Sequence, residues 1–130
     1  MKADELTALK TRVAGAYYES PGGDLDAMMR DIGEHISHSG LFLPPVVRKT
    51  GSPAHQLEAR CAPVSPQTPV PRLVDELERV WSSELRYDDF AAHALIITDD
   101  AIVLDFLTVS RSSRLYLTGM LIVTLGPDAR

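Results

Sequence analysis

Leu6, Leu9, Val13 and Ala16 or Tyr17 recur at helical spacing through Ala3–Tyr18, which predicts an amphipathic helix stopped by Ser20-Pro21-Gly22-Gly23. A second stripe, Leu25, Met28, Met29, Ile32 and Ile36, follows Asp24 as N-cap and closes at Gly40. A third helix is predicted over Arg72–Arg86, with Pro71 at its first position. Leu73, Leu77, Val80, Trp81 and Leu85 line one of its faces, and Asp75, Glu76, Glu78, Arg79 and Ser82 the other.

Between these helices the period changes to two. Leu57, Ala59 and Cys61 alternate with Gln56, Glu58 and Arg60, the mark of a half-buried strand over His55–Cys61. Thr50-Gly51-Ser52-Pro53 reads as the turn before it. The preceding Leu41–Lys49 carries Pro44-Pro45, so a strand there belongs at a sheet edge. Residues 62–71 are Pro-rich and form an extended connector, too short to separate two domains.

The last third is oily throughout. Ala92–Ile97, Ala101–Val109 and Arg114–Leu125 read as successive strands punctuated by Asp99-Asp100 and by Ser110–Ser113. The order is α-α-(β-β)-α-β-β-β in one domain spanning residues 1–130. The expected class is α+β, with three amphipathic helices packed on one face of an antiparallel sheet.

A two-residue turn at Asp99-Asp100 sets Ile97 opposite Ile102, Leu95 opposite Leu104 and His93 opposite Phe106. A four-residue loop at Ser110–Ser113 sets Phe106 opposite Leu117, Leu104 opposite Gly119 and Ile102 opposite Leu121. One face is then the helix-covered core. The other carries Val103, Leu107, Tyr116, Met120 and Ile122, too apolar for open water. A second cover is required, and a one-residue slip of register leaves that requirement intact.

Composition narrows the setting. The chain has 130 residues, 45% hydrophobic and 24% charged, an ordinary globular balance. Its net charge is −5 and its basic residues are scattered, which argues against nucleic acid as partner. Asp4 and Glu5 interrupt the N-terminal segment, so no signal peptide is read there, and no apolar run is long enough to span a bilayer. Cys61 is the single cysteine, which fits a reducing compartment. The expected location is cytoplasmic.

Candidate chemistry is sparse. His35, His38, His55 and Cys61 form a loose set of metal-ligand types whose spacing matches no closed zinc site. Histidines near a helix C-terminus are also favoured by its dipole. Asp105, a carboxylate inside an apolar strand, must pair with a cation, titrate abnormally, or face water or a ligand. In the register above Thr118 lies opposite it and Tyr116 on a diagonal. The favoured reading is a structural hydrogen bond to Thr118, or to an Arg across an interface; the alternative is a pocket acid or base. Cys61 reads as a buried, inert thiol and Trp81 as core. Gly22-Gly23 lacks the spacing of a phosphate loop. No cofactor motif and no catalytic constellation emerges.

The expected function is therefore a small non-catalytic interaction or regulatory protein. It would act through Val103, Leu107, Tyr116, Met120 and Ile122, as a homodimer or with a protein partner. The alternative is a small-molecule-binding or small enzymatic domain. Two helices, a hairpin, a third helix and an antiparallel meander form an order that is similar to the cone-shaped nuclear-transport-factor-2-like folds. That resemblance implies a pocket, with Asp105, Tyr116 and His93 as the residues to test.

Overall fold

The computed structural model describes residues 1–16, 22–82, 90–110 and 115–126. Three helices, α1 (Ala3–Ala16), α2 (Gly22–His38) and α3 (Val70–Val80), accompany five strands. The strands are β1 (Val46–Ser52), β2 (His55–Cys61), β3 (Phe90–Ile97), β4 (Ala101–Ser110) and β5 (Leu115–Thr124). The expected element order is thus the observed one. Of the predicted stop Ser20-Pro21-Gly22-Gly23, the first two residues lie outside the described residues, as do Leu85-Arg86 with the acidic pair Asp88-Asp89 and the loop residues Arg111–Ser113. Gly22 and Gly23 instead open α2, so Asp24 falls within its first turn and is not the N-cap. The helix end at Gly40 has the expected left-handed backbone, with φ of 83°.

All strands form one sheet in the order β1-β2-β5-β4-β3. The sheet is mixed, not antiparallel: β2 runs parallel to β5, with Leu57 beside Gly119 and Cys61 beside Val123. The cause is the α3 crossover. It carries the chain from the middle of the sheet to the far edge, and the β3-β4-β5 meander returns to close against β2. β1 is an edge strand, as its flanking prolines require.

The β3–β4 register is the expected one, Leu95 opposite Leu104 and His93 opposite Phe106. The β4–β5 register differs by two residues, Phe106 facing Gly119 and Asp105 facing Met120, because the hairpin closes at Ser110 and Leu115. A shift of two preserves every residue's face. Asp105 therefore stays on the second face but has Met120, not Thr118, directly opposite.

The helices do not share one face. α2 and α3 cover the first, where Met28, Ile32, Ile36, Leu73, Leu77 and Trp81 pack on Leu57, Leu104, Phe106, Leu121 and Val123. α1 covers part of the second. Its Leu6 and Val13, with Leu9 alongside, pack on Ala94, Leu107, Val109 and Tyr116. An apolar stripe dictates that a helix must be buried; it does not say against which face of a sheet that is oily on both.

Candidate functional site

α1 crosses the second face at the position of Asp105. The stripe that buries Leu6 and Val13 also carries Lys10, because positions four and seven residues apart share a helix face. Lys10 is consequently driven against the sheet. Its ammonium donates to the Asp105 carboxylate and, at 2.6 Å, to the backbone carbonyl of Ala54 in the β1–β2 turn. The two side chains are only 5% and 15% exposed.

That turn is itself tied to the sheet. The Thr118 hydroxyl donates to the Pro53 carbonyl at 2.8 Å. The same oxygen accepts from the Gln56 amide, and the Thr118 amide donates to the Gln56 side chain. α1, the turn and the sheet thereby enclose a cleft of about 480 Å³. Thr7, Thr11 and Ala14 form one wall; Pro53, Ala54 and His55 form the other; Asp105 and Met120 make the floor. Further grooves lie open along α2 and β1 and between α3 and the segment that follows α2.

Burial is the main influence on Lys10. It pushes the ammonium below the ordinary lysine value, while the hydrogen bond and charge of Asp105 oppose that shift. The pair thus places a desolvated cation and an anion side by side at the edge of an otherwise apolar space. A lysine ammonium has three donors, and two are used here, so one remains for a bound oxygen.

Next to Met120 along the sheet lies Glu58. Two guanidiniums share this carboxylate. Arg48 donates to Oε2 through Nε at 2.6 Å, and Arg60 to Oε1 through Nε at 3.1 Å and a terminal nitrogen at 2.8 Å. The Arg48 hydrogen bond, reinforced by Arg60 and opposed by burial, holds the Glu58 carboxyl below its usual range.

The remaining residues singled out from sequence separate. Leu107 and Tyr116 are buried beneath α1, inside the chain's own core. α1, rather than a second molecule, covers them. Met120 floors the cleft, Ile122 is buried beside Arg60, and Val103 is half-buried. His93 is on the opposite face from Asp105, 3.1 Å from Glu78 and stacked at a tilt on Trp81, so it does not join the cleft. His35 and His38 end α2, His55 lines the cleft, and Cys61 ends β2; among the described residues no three His, Cys, Asp or Glu side chains converge on a metal-sized site. Burial pushes the Cys61 thiol up to about 12.

Sequence reasoning found the turn after Thr50 but passed over Lys10, which meets it at the Ala54 carbonyl. The signal was there in Lys10's place between Leu6 and Val13, a charge on the buried face of a helix. Among the described residues no helix is long and apolar enough to cross a membrane. Comparison with protein-family models, with curated proteins and with solved structures finds no match.

Proposed function

We propose that this chain is a small-molecule-binding domain whose ligand sits in the cleft between α1 and the second sheet face. The observation that carries the reading is the Lys10–Asp105 pair, largely desolvated yet lining a space rather than sealed in packed core. A few placed polar groups in a mostly apolar concavity of several hundred Å³ is the usual construction of a ligand site. The apolar floor at Met120 would take the body of a ligand, and the pair would orient a polar group on it. The cytoplasm remains the proposed location, on the single cysteine.

The test is a thermal-shift screen of the purified protein against a metabolite library, repeated on Thr11→Trp. Thr11 is an exposed residue of the cleft wall, so the variant should fold normally while filling the opening. Compounds that raise the wild-type midpoint should lose their effect in Thr11→Trp. Equal shifts in both proteins would place binding elsewhere and sink the proposal.

A second reading, association through the sheet, is favoured by one strip that lies beyond the α1 cluster. Val103 is half-buried, and Ile96 directly opposite it on β3 is 38% exposed. This strip would support contact with a second copy or a protein partner.

A further inference from the structure

We infer that the ligand of the cleft is an organic acid with an apolar body, its carboxylate received by Arg48 and Arg60 and its body lying over Met120. This inference rests on the cleft reading and names its substrate class.

The argument begins with strand register. Arg48, Glu58, Met120, Asp105 and Ala94 occupy one continuous row across β1, β2, β5, β4 and β3. Neighbouring strands stand about 4.8 Å apart, so Glu58 and Asp105 are roughly 10 Å from one another with Met120 between them. One end of the row carries the Lys10–Asp105 pair, the other the Arg48–Glu58–Arg60 cluster. Three cations and two carboxylates make this patch net positive on a chain of net charge −5.

The surplus lies with the guanidiniums. Each has five N–H donors in a planar fork, and each spends only one edge on Glu58. Their side chains are 66% and 58% exposed, so the other edges are open to a ligand. Glu58 fixes both forks by accepting on separate oxygens, which pre-orders them and lowers the entropic cost of receiving a carboxylate. Lys10, by contrast, is already engaged by Asp105 and Ala54 and sits deeper, where it can meet a hydroxyl or carbonyl on the ligand body. A cationic amphiphile would place its charge against the arginines, and a neutral one would leave them unused.

Isothermal titration with octanoate, octanol and octylammonium tests the assignment on wild type, Arg60→Gln and Thr11→Trp. Octanoate should bind wild type at least about tenfold more tightly than octanol, the scale of one charge-assisted hydrogen-bonded contact. Arg60→Gln, whose Glu58 keeps Arg48, should lose about tenfold for octanoate and nothing for octanol. Thr11→Trp should weaken both. Octanol matching octanoate, or octanoate binding unchanged in Arg60→Gln, overturns the acid assignment and leaves the cleft reading standing. Binding unchanged in Thr11→Trp, or no binding of any probe to wild type, overturns both. Thermal melts of each variant establish that it is folded at the temperature of titration.

Discussion

At the scale of single residues, the fold leans on side chains whose neighbours leave no choice. Gly119 faces Phe106 across β4 and β5, and Phe106 packs on Trp81 with ring centroids 4.8 Å apart. A methyl on Gly119 would lie 2.7 Å from Phe106 Cε2, nearer still to Cζ, and 3.0 Å from the Leu57 carbonyl. Trp81 blocks the ring's retreat, so Gly119→Ala should cost about 1–3 kcal/mol by overpacking, read from urea denaturation. An unchanged midpoint would mean that the ring relocates freely. Lys10 and Asp105 make a different case. Lys10→Met leaves a carboxylate with little solvent and no cation, and should destabilise by about 3 kcal/mol. Lys10→Met with Asp105→Leu removes both charges, and should fall within about 1 kcal/mol of wild type or above it. The pH dependence has a definite sign. Because burial lowers the Lys10 value in the folded chain below the ordinary 10.5, the unfolded chain binds the extra proton between the two values. Stability of wild type should therefore rise with pH in that alkaline window relative to the double variant. A fall would show that Asp105 outweighs desolvation.

At the scale of elements, much was readable and the reason is periodicity. The stripes of α2 and α3 and the apolar β3–β5 run state their own geometry, and the alternation of β2 states a strand but not its half-burial, since Gln56 and Glu58 on its polar side are buried as well. What periodicity withholds is partnership. Nothing in the Leu6-Leu9-Val13 stripe distinguishes the two sheet faces, and nothing local in β2 announces a parallel neighbour from the far end of the chain. The two cores are unequal. The first joins α2 and α3 to all five strands, directly or through flanking residues, whereas α1 contributes to the smaller one on β3, β4 and β5. Leu77→Asp should therefore abolish folding, since it buries an unpaired charge in the principal core. Leu6→Asp should release α1 and uncover Leu107, Val109 and Tyr116 while β-sheet circular dichroism persists. Increased binding of an apolar dye with retained far-ultraviolet signal is the expected signature. If Leu6→Asp unfolds as completely as Leu77→Asp, α1 belongs to the same cooperative unit.

At the scale of the whole molecule, the oily second face posed the question, and the chain answers most of it with its own first helix. That changes what association can look like. An obligate twofold contact, expected while Leu107 and Tyr116 counted as surface, loses both to α1. What remains on that face is Val103 and Ile96, whose exposed area is only on the order of a hundred Å². A standard interface needs about 800 Å² from each partner, so this strip cannot hold a permanent dimer unless neighbouring polar residues join it. Light scattering across a dilution series should accordingly show a reversible monomer–dimer equilibrium with Kd in the micromolar range or weaker. Val103→Arg should shift it to monomer without loss of thermal stability, because Val103 is half-buried outside both principal packing clusters. A dimer that withstands dilution to nanomolar concentration would contradict the area argument. A strict monomer at high concentration would remove the association reading altogether, leaving the strip as scattered surface hydrophobics and the cleft beside Lys10 as the feature that function must explain.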